Sequence, residues 1–344
     1  MESILLLAHT EADGTLAKPA LEALTAALEL GGELTVGLVG GAVEPAANLA
    51  AAAGARRILA VTGEPFTQPR YSTDAAAAEA IARAAGAAIV LAPATARWAR
   101  ALPGVAYRLG GRIDTHATGL AERDGAPAVN RWFYRQRMEA VLTRTARPWL
   151  VLLDAGCFAP WSEATPQATP ARAAGSAQVE FVAVEAPQSR TTVTGIQAPK
   201  ADEQTIRPDA KLIFEAGAGW TKKQPDGAVH VEEAQLLILG ALRGAQASLG
   251  GSKSLVDLSG EGQAVLPFMT HLNQVGQTGS TPRHQKGLST CCHGEEPHVV
   301  GWRFVTERRA VNLDPNCGWS RGKADVVYVA DAFAVVRELN RLLG

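Results

Sequence analysis

The sequence has few residues of the kinds that mark secreted, membrane-spanning or nucleic-acid-binding proteins. Of its 344 residues only four are cysteine, and 33 lysines and arginines stand against 34 acidic residues, for a formal net charge of −1. The cysteines show no CxxC pair and no disulfide-framework spacing, which favours a reducing, cytoplasmic location. Without a basic surplus, the composition argues against nucleic acid or an anionic membrane as a partner.

Long apolar runs are also missing from the sequence. No run approaches the ~18 apolar residues that a membrane-spanning helix needs. The short apolar N-terminus, residues 4–8, lacks the basic region and the small-residue cleavage site of a signal peptide. We therefore predict no direct membrane insertion.

The chain does contain enough apolar side chains for substantial cores, because 47% of its residues are hydrophobic. Its length suggests about two domains. In the first half, short strand-like runs alternate with alanine-rich helical stretches, which predicts an α/β fold with a mostly parallel sheet flanked by helices. The predicted strands are 4–8, 34–39, 57–61 and 88–92, and the predicted helices are 18–30, 45–53 and 73–85.

Beyond residue 119 the pattern becomes more strand-like, and a polar stretch then separates it from a second α/β pattern. The prolines and weak apolar period of residues 191–209 predict a linker between a domain at 1–190 and a domain at 210–344. A surface excursion is predicted at 158–178. The further predicted strands are 128–134, 140–145, 149–153, 179–184, a glycine-ended strand from 211, 299–304, 309–312 and 326–329, with helices at 231–249 and 332–343.

Short polar motifs follow the strands of the second domain. Gly219 closes a strand-then-glycine element that suits the close approach of a phosphate, although such turns also use glycine for geometry alone. The run from Gly276 to Gly279 offers hydrogen-bonding groups to the edge of a flat heterocycle, or forms a simple polar turn. Asp331 is placed to cap the last helix. The other scattered polar candidates are Ser289, His298 and Asn312.

Taken in order, these pieces resemble the FAD domain of electron-transfer flavoprotein α subunits. The matching series is the glycine-ended strand to Gly219, then 251–257, 275–279, His298, 310–315 and 330–331. The N-terminal half is similar to the same family at 6–9, 31–33 and 91–95. The resemblance implies two α/β domains: an adenine-nucleotide alpha hydrolase-like N-terminal domain that contacts a β subunit, and a DHS-like C-terminal domain that binds FAD.

The resemblance also implies a role for each candidate residue. Those that would hold FAD are Gly219, Ser252, Lys253, Gln277, Thr278, Gly279, Ser289, His298, Asn312 and Asp331. Among them, Gln277 and Thr278 would flank the flavin ring, His298 would bind its pyrimidine edge, and Ser289 would face the phosphates. Asn312 and Asp331 would hold the adenosine and ribose.

The resemblance further implies an electron carrier without a small-molecule substrate of its own. An electron-transfer flavoprotein β subunit would complete the site and bind AMP. A flavin dehydrogenase would donate electrons, and a quinone oxidoreductase would accept them. Two alternatives remain open: an α-like subunit permanently embedded in a larger dehydrogenase or demethylase complex, and a non-redox nucleotide-binding module.

Three departures separate this sequence from the family pattern. Lys253 stands where the family has an arginine above the flavin, and lysine lacks the planar guanidinium fork. An extra stretch occupies about 258–273, and residues 280–298 are rewritten. The rewritten part, with a later cysteine, offers a set of metal ligands or of free thiols at Cys291, Cys292, His293 and Cys317.

Overall fold

A computed structural model describes residues 2–133, 138–163, 178–188, 190–195, 206–207, 210–252, 254–257, 264–275, 284–290, 305–315 and 324–344. The chain divides into two compact units, Met1–Gln197 and Ala198–Gly344. Most of the predicted linker lies outside the described residues, so its course stays a prediction. None of the described helices has the length and apolar character to cross a membrane.

The described strands of the first unit form one mostly parallel sheet. They are β1 (Ile4–His9), β2 (Leu34–Gly40), β3 (Arg57–Thr62), β4 (Ile89–Pro93), β5 (Arg112–Arg123), β6 (Ala126–Phe133), β7 (Met138–Leu142), β8 (Trp149–Leu153) and β9 (Val179–Phe181). Their order is β7-β6-β5-β8-β4-β1-β2-β3-β9. Only the β5–β6 and β6–β7 pairs are antiparallel.

Helices cover both faces of this sheet. The first pair, α1 (Lys18–Leu30) and α2 (Glu44–Ala52), packs its alanines and leucines on one face. The second pair, α3 (Tyr71–Ala85) and α4 (Ala96–Arg108), packs on the other face. Because both faces are buried, the central strands are apolar throughout, as in parallel sheets generally. The predicted α/β class is confirmed for this unit.

A buried carboxylate ties the antiparallel end of the sheet to its parallel centre. Asp114 of β5 accepts hydrogen bonds from Arg144 Nε at 2.6 Å and Nη2 at 2.8 Å, and from Trp149 Nε1 at 2.9 Å. Burial raises the pKa of Asp114, but the bonds from Arg144 and Trp149 and the charges of Arg144 and Arg131 outweigh burial and lower the pKa overall. Asp114 is therefore ionised and satisfied inside the fold.

The second unit is a parallel sheet with helices packed on it. Its described strands are β10 (Leu212–Ala216), β11 (Ser248–Gly251), β12 (Lys286–Thr290), β13 (Glu307–Asn312) and β14 (Val326–Val329). They are all parallel, in the order β11-β10-β12-β13-β14. Its described helices are α5 (Val231–Ala245), the single turn α6 (Ser254–Asp257) and α7 (Ala332–Leu343). The predicted α/β class is confirmed here too.

One face of this sheet carries the main core of the unit. There α5 and α7 pack against Phe214, Trp220 and Val311. The two helices approach closely because α5 has glycines at the contact: a Cβ built on Gly240 would lie 2.7 Å from Asn340 of α7. On the opposite face, the described residues form a smaller apolar cluster of Ile213, Val275, Val305 and Ala310.

The predicted helix 231–249 is wrong at its end. Gln246 adopts a left-handed conformation with φ of 48° and closes α5, and the chain then forms β11. The elements α4, β5, β11 and β12 were not predicted from the sequence. The predicted strand 299–304 lies outside the described residues.

Candidate functional site

The strand order of the second unit creates a crevice at one defined place. After β10 the chain adds β11 on one side of it, and then returns to add β12 on the other side. At such a reversal the connections leave the carboxyl ends of two neighbouring strands in opposite directions. Ligands of open parallel sheets bind outside the carboxyl ends at this point.

The described candidate residues all lie at the carboxyl ends of the five strands. Each strand contributes one of them: Gly219 after β10, Ser252 after β11, Ser289 as the penultimate residue of β12, Asn312 at the end of β13 and Asp331 after β14. Since parallel strands end at one edge of a sheet, the fold brings residues from 219 to 331 to that edge. The remaining candidates lie outside the described residues: Lys253, Gln277, Thr278, Gly279 and His298.

The turn after β10 is held to β12 by a buried tryptophan. Trp220 Nε1 donates a hydrogen bond of 2.8 Å to Thr290 Oγ1, which itself donates to the carbonyl of Glu215 at 3.1 Å. The Trp220 ring packs on Phe333, with 4.6 Å between ring centroids. The turn is therefore rigid where the site begins.

This turn differs from the predicted phosphate cradle in one respect. Gly219 lies in a short 3-10 helix, Ala218–Thr221, and α5 begins only at Val231. The amides at the N-terminus of α5 therefore do not follow the glycines directly. The carbonyl of Gly219 accepts a hydrogen bond of 3.0 Å from Gln224 Nε2, which fixes the turn further.

Ser252 presents an unsatisfied hydroxyl at the end of β11. Its amide donates to the carbonyl of Ala216 at 3.2 Å, so its backbone belongs to the sheet edge. Its Oγ is buried and has no hydrogen-bond partner in the part of the chain that the structure describes. A buried hydroxyl without a partner costs free energy, so it suits a ligand that supplies one.

Asn312 and Asp331 fix the ends of β13 and β14. The carbonyl of Asn312 accepts from the amide of Ala330 at 3.2 Å, and Asn312 is buried. Asp331 caps α7, accepting from the amides of Phe333 at 3.2 Å and Ala334 at 3.3 Å. The capping role foreseen for Asp331 is confirmed. Its carboxylate also retains lone pairs for a ribose hydroxyl.

Sequence analysis missed one titratable residue at this edge, Glu215. It is the penultimate residue of β10 and only 7% exposed, and no described residue donates a hydrogen bond to its Oε1. Burial raises the pKa of Glu215 to about 8. The signal available in the sequence was a single glutamate inside an otherwise apolar strand, two residues before Gly217.

The metal-ligand alternative at Cys291, Cys292, His293 and Cys317 lies wholly outside the described residues and stays open. The two orphaned polar atoms, Ser252 Oγ and Glu215 Oε1, are instead placed for a polar organic ligand at the β10–β11 ends. The described residues thus fit a nucleotide-like cofactor at this edge.

Comparison with known proteins places the chain in a family. The family model described as "Electron transfer flavoprotein domain" matches residues 4–187, which cover the strands and helices of the first unit. The matched range ends before the second unit begins. No curated protein matches the chain. Since the match covers more than half of the sequence, the chain belongs to the electron transfer flavoprotein family, a family of electron-transport flavoproteins.

Proposed function

We propose that this chain is the FAD-carrying α subunit of an electron-transfer flavoprotein, with FAD at the carboxyl edge of the second unit. One observation carries the proposal: four of the five strands there contribute a residue that matches the family's FAD motifs, the fifth contributes Ser289 from the rewritten part, and the fold brings all five to one edge. A purely structural series of polar turns has no reason to match these motifs in order.

The chain's own residues would bind and orient the cofactor. Ser252 Oγ offers a donor that lacks a partner, and Asn312 and Asp331 offer acceptors to the adenosine and ribose. FAD, when bound, supplies the capacity to accept and release electrons. By resemblance, Lys253 and His298 would add positive charge and a hydrogen-bond donor beside the ring, with Gln277, Thr278, Gly279 and Ser289 completing the site.

The same proposal extends to partners and location. An electron-transfer flavoprotein β subunit that binds AMP would cover the site and contact the N-terminal domain, residues 1–190. Residues 191–209 would link that domain to the FAD-binding domain, residues 210–344. A flavin dehydrogenase would donate electrons and a quinone oxidoreductase would accept them, in the cytoplasm. A carrier of this kind has no small-molecule substrate of its own.

The cofactor test uses protein purified from its native source, so that a partner subunit stays attached. We expect a yellow complex that bleaches with dithionite, and one FAD per αβ pair after release by heat and chromatography. A colourless preparation that releases an adenine nucleotide without flavin would refute the proposal and favour the nucleotide-binding module.

A further inference from the structure

Glu215 is a buried acid at the crevice that has no role so far. It lies one residue before the carboxyl end of β10, the strand at which the sheet order reverses. In register, its neighbours are Gly250 of β11 and Ser289 of β12. A Cβ built on Gly250 would lie 2.6 Å from Val275 Cγ2 and 3.3 Å from Glu215 Cγ, so the Glu215 side chain and Val275 pack closely over this glycine.

No described element offers Glu215 a cation. From β11 the neighbour is Gly250, from β12 it is Ser289, and Val275 packs on the same face. On β13, Arg308 lies in the register row of Ile213, nearer the amino end of the sheet, and pairs with Asp325 at 2.8 Å. The charge of Glu215 would therefore be uncompensated by the described residues if it ionised.

Among the residues that the structure describes in this unit, His284 is the other buried titratable side chain, and it lies just before β12, at the opposite end of the sheet. It hydrogen-bonds Ser248 Oγ at 2.9 Å and the carbonyl of Arg207 at 3.1 Å. Ser248 begins β11, whereas Glu215 lies at the carboxyl end of β10. His284 is thus engaged at the amino edge and does not face the carboxyl group of Glu215.

Resting on the proposed function, we propose that Glu215 belongs to the FAD site as an uncharged carboxylic acid, which donates a hydrogen bond to the bound dinucleotide. A neutral acid is a donor as well as an acceptor, whereas a carboxylate only accepts. FAD carries a pyrophosphate with negative charge, so an ionised Glu215 at this edge would both lose its donor and repel the ligand. Binding should therefore weaken as Glu215 ionises.

The test is a titration of FAD into the complex from which FAD has been removed, followed by flavin fluorescence at pH 6, 7, 8 and 9. If only the acid form binds, the pKa of about 8 predicts about tenfold weaker affinity at pH 9 than at pH 7 in the wild type. Glu215→Gln keeps a neutral donor, so its ratio between pH 7 and pH 9 should fall to about one. Glu215→Met, which cannot donate, should bind about tenfold more weakly than Glu215→Gln at pH 7.

The matched control is Glu307→Gln, an exposed glutamate at the amino end of the same sheet. It should reproduce the wild-type pH profile. Infrared difference spectra on FAD binding provide a second readout: the carbonyl band of a protonated acid should shift in the wild type and be missing in Glu215→Gln.

The outcomes separate this inference from the proposal on which it rests. If FAD binds with the same pH profile in wild type and Glu215→Gln, the inference is overturned while the function stands. If affinity is flat with pH and Glu215→Gln binds worse throughout, Glu215 is ionised and paired with a cation, which also overturns it. Failure of the wild type to bind FAD at any pH would overturn both.

Discussion

The stability of the protein without its cofactor should depend on pH through Glu215. The unfolded chain ionises this side chain near the ordinary glutamate pKa of 4.5, whereas the folded chain does so at about 8. Between these values the unfolded state has released the proton and the folded state still holds it. Folding stability due to this group is therefore fully present below pH 4.5, declines as pH rises, and is lost above about pH 8.

The size of this effect follows from the two pKa values. Their difference, at about 1.4 kcal/mol for each unit, amounts to about 5 kcal/mol over the whole range. Between pH 6 and pH 9 the expected loss is about 3 kcal/mol, because part of the titration lies below pH 6. That is a large fraction of the 5–15 kcal/mol that stabilises a typical domain.

The assay is urea unfolding of the cofactor-free chain at pH 6, 7, 8 and 9, with wild type and Glu215→Gln measured side by side. Other titrating groups are common to both proteins, so the difference between them isolates Glu215. We expect Glu215→Gln to gain about 3 kcal/mol relative to wild type between pH 6 and pH 9. Glu307→Gln should show the same pH dependence of the free energy of unfolding as the wild type. A constant difference between wild type and Glu215→Gln would show that Glu215 is not buried without a partner.

Four further substitutions test the site and the scaffold separately. Ser252→Ala removes a hydroxyl that has no described partner, so the free energy of unfolding, measured with urea, should change by less than about 0.5 kcal/mol. FAD binding, measured by flavin titration, should weaken by about 1 kcal/mol. Asp114→Asn should destabilise the first unit by about 1.5–3 kcal/mol, because it removes the charge from the hydrogen bonds that Arg144 and Trp149 donate to the buried carboxylate, and FAD affinity should not change. Equal stability of the two proteins would contradict this role of the Asp114 carboxylate. If Lys253 and His298 lie beside the flavin as proposed, Lys253→Met and His298→Leu should each lower the flavin potential by the equivalent of about 1.5–3 kcal/mol, because each would remove a charge-assisted contact to the reduced flavin. Wild-type potentials in a dithionite titration would contradict that placement.

The fold of the first unit could be predicted from the sequence because its strands and helices differ strongly in local pattern. Apolar runs such as β1 alternate with alanine-rich stretches such as α1, and glycines end the helices. The pattern failed at α4, whose interior contains Pro103 and whose polar face carries several arginines. An apolar period is present at Trp98, Ala101, Leu102 and Val105, but the proline and the arginines obscure it, and packing against α3 supports the helix.

The site could be predicted only where its residues follow a strand in sequence. Asn312 and Asp331 were found because each comes directly at a strand end, and the parallel order then placed them together. Glu215 was missed although it is the single acid in an apolar strand, because its burial depends on β11 and β12, which were not predicted from the sequence. β11 itself is four residues long and directly follows a helix, too short to show a period of two.

The outer edge of the first sheet has a consequence for biosynthesis. β9 pairs with β3 through Ile58, Leu59 and Ala60. Arg57 also forms a bidentate ion pair with Glu180 of β9, with Nε 2.8 Å from Oε1 and Nη2 2.7 Å from Oε2. About 120 residues of chain separate the two strands, which takes roughly 6–24 s to synthesise at ribosomal rates. During that interval β3 is an unpaired strand edge on a nascent chain, open to chaperones and to other nascent chains, and only the late arrival of β9 closes it.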